Sequence, residues 1–250
     1  MNPPALAIRR INWFHYASPQ TFLPLAGALI PRFGWAAAAF CVAGLYIGFF
    51  VAPTDQQQGE AYRIIFIHVP AAWMSMFIYL VMALWAGVGL AFNTRLSGMM
   101  ASALAPTGAL FTVVALWTGS MWGKPTWGTW WVWDGRLTSM LVLFFLYLGY
   151  IALANASSEK GDTSRVAAVF GIIGAVNIPI INRSVIWWES QHQKASITLG
   201  GSSIDSAYLI PLLVSVLGFS LLFAAIVLMR MRAALAEMRI EARMRRMAEA

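Results

Sequence analysis

Six apolar segments, each long enough to cross a membrane, constrain the fold of this chain more than any other feature of its sequence. A helix that crosses the hydrocarbon core of a bilayer needs about 20 mostly apolar residues. Six segments meet that requirement: residues 33–51, 64–92, 99–121, 137–155, 166–181 and 207–229. Only 11% of the residues are charged, against about 25% in soluble domains. The sequence therefore predicts an all-α integral membrane protein with six transmembrane helices.

The distribution of cations predicts how these helices are oriented. Lysine and arginine are retained on the cytoplasmic side of a membrane. Twelve of the seventeen cations lie in the N-terminal segment, the second and fourth loops and the C-terminal tail, and the other five lie in the odd-numbered loops beside five acidic residues. We therefore expect both termini in the cytoplasm and the odd-numbered loops in the periplasm of a Gram-negative cell. Residues 1–230 would form the membrane domain, and residues 231–250 a basic cytoplasmic tail that contacts anionic lipid.

The third predicted loop contains an unusual concentration of tryptophan. Its sequence, WGKPTWGTWWVWDGR, runs from Trp122 to Arg136 and holds five tryptophans. Pro125 is suited to begin a helix and Gly135 to end one, so we expect a short interfacial helix here. A helical period would align four of its residues on one face: Trp127, Trp130, Trp131 and Asp134.

Two interpretations of these tryptophans are open. Tryptophan is enriched at the headgroup level of membrane proteins in general, and such an aromatic belt would explain one or two of them. Five in a single loop, with Trp122 and Trp133 included, favour a platform for a flat apolar ligand, because indole rings pack well on other aromatic systems. A porphyrin is such a ligand.

Two histidines on the same predicted face make the ligand more specific. His68 lies near the start of the second span and His192 in the fifth loop, whereas His15 lies in the cytoplasmic N-terminal segment. Histidine is the usual axial ligand of haem iron. Either outward histidine alone would be interpreted as a hydrogen-bonded interfacial residue. Together with the tryptophans, they predict a haem held by His68 and His192 from opposite sides.

A haem also carries two propionates, which bind cations or N–H donors. Arginine can hold a carboxylate through two parallel hydrogen bonds. The outward candidates are Arg63, Lys124, Arg136 and Arg183, and we assign Arg63 and Arg136 to the haem site. Each cation could instead anchor the chain to lipid phosphates. Asp134 is expected to orient a neighbouring residue or to contact a partner.

Three segments of the sequence resemble one known family. WGKPTWGTWWVWD resembles the tryptophan-rich (WWD) signature of the haem-handling proteins of cytochrome c maturation, and YRIIFIHVPAAW and SVIWWESQHQ agree with the same family. Within it, the length and the number of spans are similar to the CcmC type, the haem exporter C proteins of bacterial inner membranes. The resemblance covers most of the chain. It implies that His68 and His192 are axial ligands of haem b, and that the loop from Trp122 to Arg136 binds haem and a partner protein.

The resemblance also implies a function and a set of partners. Such proteins hold haem without a covalent bond at the periplasmic face and present it to a membrane-anchored haem chaperone, whose histidine becomes joined to a haem vinyl group. They work beside an ABC-type permease, its cytoplasmic ATPase and a small single-span protein. We therefore expect a haem-delivery protein of the bacterial inner membrane that is not itself an enzyme and binds no nucleic acid.

Two other functions are compatible with the sequence. A membrane cytochrome that transfers electrons would usually place haem ligands at both faces of the membrane, whereas both outward histidines here are predicted at one face. A permease or docking subunit of an ABC-type export complex would bind no haem. Its tryptophans would then serve only as an interfacial belt and a docking surface.

Overall fold

The computed structural model describes residues 18–158, 165–188, 190–193, 196–198 and 200–249 of the chain. Several residues that the predictions above use lie outside these ranges, namely His15 and four of the cations: Arg9, Arg10, Lys160 and Lys194.

Seven α-helices make up most of the described chain: α1 (Pro19–Tyr46), α2 (Ile65–Phe92), α3 (Arg95–Trp127), α4 (Gly135–Ser158), α5 (Arg165–Gly174), α6 (Asn177–Trp187) and α7 (Ser206–Ala248). A π-helical turn (Ile47–Val51) continues α1, and a 3-10 turn (Glu60–Ile64) precedes α2. The antiparallel strands β1 (Ile197–Thr198) and β2 (Gly201–Ser202) precede α7. Six helical segments are long and apolar enough to cross a membrane, with α5 and α6 together forming the fifth. The predicted six-span architecture is confirmed.

The first and last spans are longer than the hydropathy pattern predicted. α1 begins at Pro19 rather than near residue 33, and it contains Pro24 and Pro31 within the helix. Proline inside a membrane helix is tolerated because neighbouring groups satisfy the backbone groups that it frees. α7 continues to Ala248. The described part of the predicted tail is therefore a helical extension of the sixth span.

The structure contradicts the predicted helix in the third loop. α3 continues through Pro125, and Gly128 follows it in the left-handed conformation with a φ of 78°. The Gly128 N–H donates to the Lys124 carbonyl (3.1 Å), which is how many helices end. Residues 128–134 are not helical, and Gly135 begins α4. The prediction was wrong because Gly128, and not Gly135, supplies the left-handed residue at which a helix stops.

The fifth span is interrupted between α5 and α6. Pro179 has no N–H for the carbonyl four residues before it, and the Ala175 carbonyl instead accepts from the Ile178 N–H (3.1 Å). Beside this break, the Asn177 side chain donates to the Ser139 carbonyl of α4 (2.9 Å). The break therefore finds partners within the protein, as membrane helices require, and it joins α6 to α4.

Buried tyrosines join the helices that carry the site described below. The Tyr147 hydroxyl of α4 donates to the Ser75 carbonyl of α2 (2.7 Å), and its ring packs edge-on against Tyr79 with centroids 4.9 Å apart. The same ring lies against Gly108 of α3, where a side chain would have no room. α2, α3 and α4 therefore form one packed unit.

The first and last spans pair closely through small residues. Gly44 of α1 lies against Ser215 of α7, and Gly218 of α7 lies against Cys41 of α1. Close approach through small residues is a common way for membrane helices to associate. Since residue numbers rise along one helix as they fall along the other, the two helices are antiparallel.

This pairing brings the start of α1 beside the end of α7. Gln20, Leu23 and Pro24 form one wall of a groove whose other wall carries four arginines: Arg232, Arg239, Arg243 and Arg246. The two ends of the described chain therefore lie on the same side of the bundle. That this side is cytoplasmic stays a prediction.

Candidate functional site

His68 and His192 line the same cleft. The cleft lies between the start of α2, the end of α3 and the start of α4, and its cavity volume is about 60 Å³. Its other polar lining comes from Ser120, Trp131 and Arg136. Most of the remaining lining is small or apolar: Ala72, Ala115, Leu116, Gly119, Leu137 and Met140. A lining that is mostly apolar with a few polar groups is typical of a site for a largely apolar ligand.

His68 is held from three directions by side chains and backbone of α3. Its Nδ1 lies 3.1 Å from the Thr118 hydroxyl. Trp122 packs edge-on against the imidazole, with ring centroids 5.6 Å apart. Gly119 lies so close that a methyl group there would be 2.9 Å from the His68 Cε1 atom. α3 therefore determines where the His68 ring lies.

His192 lies in the segment after α6 and is held less tightly. Trp127 packs edge-on against its ring, with centroids 4.8 Å apart. Its Nδ1 is buried and has no hydrogen-bond partner among the described residues; the nearest carboxylate oxygen, Oδ2 of Asp134, is 3.6 Å away. Its backbone N–H donates to the Ser190 hydroxyl (3.2 Å).

Asp134 connects the segment that carries His192 to α4. Its Oδ1 accepts from the Leu137 N–H (2.8 Å) and caps the start of α4. Its Oδ2 accepts from the Ser190 hydroxyl (2.6 Å). Asp134 therefore links Ser190 to the start of α4, and its role as an orienting residue stays a prediction.

Burial has the largest effect on the pKa of the His192 imidazole. It lowers the pKa of the imidazole below its ordinary value, because a charged ring loses its hydration there; Asp134 opposes this shift, and Arg136 adds to it. The neutral ring, which is the form that coordinates metals, is thereby favoured at neutral pH.

The tryptophans of the third loop do not share one face. Trp131 lines the cleft, and its buried Nε1 has no hydrogen-bond partner in the described part of the chain. Trp122 contacts His68, and Trp127 contacts His192. The other two point away from the protein interior: Trp130 is 56% exposed and Trp133 is 75% exposed. Because the loop is not helical, the i, i+3, i+4, i+7 alignment expected for it is absent.

Of the two arginines assigned to the haem site, the structure brings only Arg136 to the cleft. Arg136 also donates to the Ile181 carbonyl of α6 (2.8 Å). Arg63 donates to the carbonyls of Gly48 and Ala52 (2.9 and 2.8 Å) and pairs with Glu60. It is not part of the cleft lining, because carbonyls at the end of a helix lack intrahelical donors and attract the guanidinium. The other candidates lie apart from the cleft lining as well: Lys124, which donates to the Gly128 carbonyl, and Arg183.

Three polar residues outside the predicted set of site residues contact the residues of the site. Thr118 contacts His68, Ser190 bridges Asp134 and the His192 backbone, and Gln58 accepts from the Trp122 indole N–H (2.7 Å). A signal for Thr118 was present, since it lies four residues before Trp122 and so on the same face of a helix.

Comparisons with known proteins agree on one family. The sequence profile of CcmC, described as Heme exporter protein C, matches residues 12–246. Heme exporter protein C of Escherichia coli (strain K12) is 49% identical over 216 residues, which cover 86% of this chain and 87% of that protein. Heme exporter protein C of Bradyrhizobium diazoefficiens is 48% identical over 220 residues, which cover 86% and 82%.

A mitochondrial protein is also similar to this chain. It is a ccmC-like protein of Marchantia polymorpha whose name assigns it to cytochrome c biosynthesis, and it is 49% identical over 168 residues, which cover 67% of this chain and 71% of that protein. On the length and identity of these matches, this chain belongs to the CcmC, or heme exporter protein C, family.

Proposed function

We propose that this protein binds haem b without a covalent bond, between His68 and His192, and presents it at the periplasmic face of the inner membrane for cytochrome c maturation. The observation that carries the proposal is that both imidazoles line one cleft. The names of the relatives, which refer to haem export and to cytochrome c biosynthesis, support the same function.

The residues of the cleft fit a haem chemically. Porphyrin iron can bind two axial ligands besides the four nitrogens of the macrocycle, and neutral imidazole is the usual one. The small and apolar lining suits the porphyrin faces. Arg136 is available to pair with a propionate. The buried Trp131 N–H has no acceptor among the described residues, which costs about 1–3 kcal/mol, and a bound haem would supply an acceptor.

The protein would contribute position rather than bond making. His68 and His192 would hold the iron, and the haem would thereby stay in one place while the histidine of a membrane-anchored haem chaperone reacts with a vinyl group. The exposed Trp130 and Trp133 lie beside the cleft-lining Trp131 and offer the chaperone an aromatic surface. The covalent bond would form on the chaperone's own histidine, so this chain acts as a haem-delivery protein and not as an enzyme.

The delivery would take place within a larger assembly. We propose that the partners are an ABC-type permease, its cytoplasmic ATPase and a small single-span membrane protein. The six apolar helices support a multi-pass subunit, and the exposed aromatic side chains along its spans, such as Trp35 and Trp117, are suited to lipid or to neighbouring membrane subunits.

Absorption spectra of the protein purified with its partners test the proposal. Wild type should show a haem Soret band, and His68→Ala and His192→Ala should each lose or shift it, because each removes one axial ligand. His15→Ala is the matched control, because it removes the one histidine that we do not assign to the site.

Two results would contradict the proposal. Spectra of His68→Ala and His192→Ala that equal the wild-type spectrum would remove the axial-ligand assignment. A colourless wild type whose complex with its partners is intact would favour a docking subunit that binds no haem.

A further inference from the structure

We propose that Thr118 is a positioning residue that fixes the tautomer of His68, so that Nε2 carries the free lone pair for the iron. The inference rests on the proposed function, because it concerns how one axial ligand is prepared for haem. Thr118 lies on α3, fifty positions from His68, and its side chain is buried.

The hydrogen bonds of the Thr118 hydroxyl indicate whether Thr118 or His68 is the donor in the contact between them. The hydroxyl lies 2.6 Å from the Val114 carbonyl and 3.3 Å from the Ala115 carbonyl. The hydroxyl has one proton, and its shortest contact is with the Val114 carbonyl, which can only accept, so we assign the Thr118 proton to Val114. The contact of 3.1 Å with His68 Nδ1 then uses a lone pair of the Thr118 oxygen. Nδ1 is therefore the protonated nitrogen of a neutral ring.

A histidine that binds a metal through Nε2 must be in this tautomer. A neutral imidazole carries its proton on one nitrogen and a lone pair on the other. With the proton held on Nδ1 by Thr118, Nε2 is free to bind a metal. Partners that fix the other ring nitrogen of a ligating histidine typically change metal affinity about 10–100-fold.

The two histidines differ in this respect. The Nδ1 atom of His192 has no hydrogen-bond partner within the described residues, and its carboxylate neighbour is 3.6 Å away. His68 is also confined by Gly119 and Trp122. His68 is thus the ligand that the folded chain prepares in advance, and Thr118 is the group that prepares it.

A matched pair of substitutions separates this role from a general structural one. Thr118→Val keeps the shape of the side chain and removes the hydroxyl, whereas Thr118→Ser keeps the hydroxyl. Thr112→Val is the control, because Thr112 is also buried on α3 and donates to the carbonyl four residues before it (2.8 Å) without contacting a histidine.

The first measurement is a haemin titration of the full chain purified with its partners. Thr118→Val should lower haem affinity about 10–100-fold and shift the spectrum of the ferric haem. Thr118→Ser should restore both, and Thr112→Val should resemble wild type. Equal losses in Thr118→Val and Thr112→Val would overturn the proposal. Wild-type affinity in Thr118→Val would mean that the Thr118 hydroxyl does not prepare His68 for the iron, and would overturn it as well.

A second measurement does not depend on haem. NMR of the haem-free protein with histidine labelled at its ring nitrogens distinguishes protonated from unprotonated nitrogen, and the chain has only three histidines to assign. His68 should show a protonated Nδ1 in wild type and in Thr118→Ser, and a mixture of tautomers in Thr118→Val. A protonated Nε2 in wild type would overturn the proposal, even if haem binding itself were demonstrated. If wild type shows the expected tautomer but does not bind haem, the result would count against the proposed function instead.

Substitution of Gly119 tests the placement of the same ring independently. Gly119→Ala adds a methyl group 2.9 Å from His68 Cε1 and should displace the imidazole, with loss of the six-coordinate haem spectrum. Gly87→Ala on α2 is the control, since its nearest neighbour would be the Ile172 Cδ1 atom at 3.9 Å, an ordinary contact. An unchanged spectrum in Gly119→Ala would show that α3 does not determine the ring position.

Discussion

At the scale of single residues, the tryptophans of one signature have separate roles. Trp122 and Trp127 each pack against one histidine, Trp131 lines the cleft, and Trp130 and Trp133 are exposed. The unpartnered Nε1 of Trp131 is the most informative detail. A buried donor without an acceptor destabilises a protein, so a ligand that accepts from it would be favoured.

Trp131→Phe is predicted to weaken haem binding without weakening the fold. It keeps an aromatic ring and removes the N–H, so haem affinity should fall about tenfold, the equivalent of about 1.4 kcal/mol for one hydrogen bond. The thermal stability of the haem-free protein should stay the same or rise. Trp85→Phe, at an exposed position of α2 away from the cleft lining, is the control and should bind haem normally. A fall in both stability and affinity for Trp131→Phe would indicate a packing role instead.

At the scale of the helices, glycine determines how closely the first and last spans pack. A methyl group on Gly218 would lie 2.7 Å from the Cys41 backbone nitrogen and 2.8 Å from its Sγ atom. The backbone cannot move aside as a flexible side chain would, so α1 and α7 would have to separate. Gly34 of α1, in contrast, has no atom within 4 Å of the same position.

Gly218→Ala is therefore predicted to destabilise the protein by about 1–3 kcal/mol, the usual cost of overpacking. Gly34→Ala should leave stability unchanged or raise it by about 0.5–1 kcal/mol, because alanine is the better helix former. Thermal unfolding of both variants in the same detergent checks this. Similar unfolding midpoints for the two would mean that the close contact between α1 and α7 is not maintained in the membrane protein.

At the scale of the whole molecule, the basic groove between α1 and α7 and the histidine cleft lie at opposite ends of the bundle. α7 has 43 residues, or about 65 Å at about 1.5 Å per residue, roughly twice the hydrocarbon thickness of a bilayer. Its last turns therefore extend past the membrane, with the arginines of the α1–α7 groove. The histidine cleft lies at the other end of the bundle, where α2 and α7 begin and α3 ends.

Cysteine labelling tests which face is which. In a Cys41→Ala background, which removes the single cysteine, a membrane-impermeant thiol reagent should label Ser202→Cys in intact spheroplasts. It should label Ala248→Cys only after lysis, because positively charged segments stay in the cytoplasm. Both positions are exposed. The reverse pattern would place the histidine cleft in the cytoplasm and would contradict presentation of haem in the periplasm.

Much of this molecule could be predicted from local patterns. The number of spans followed from segment length and hydropathy alone, and the structure agrees. His68, His192, Trp131 and Arg136 were chosen from residue type and predicted face, and the structure brings all four to one cleft. The helix of the third loop was predicted wrongly from Pro125 and Gly135, since two competing glycines offered the same stop signal.

The sequence by itself determined the six membrane helices and the residue types that suit a porphyrin, because both depend on composition and spacing along the chain. Only the tertiary structure decided which partners each side chain meets. Thr118 reaches His68 across fifty positions, Arg136 reaches Ile181 across forty-five, and Arg63 is bound by carbonyls of the π-helical turn and not by the cleft. Such contacts depend on which faces of distant helices pack together, and no local period encodes that choice.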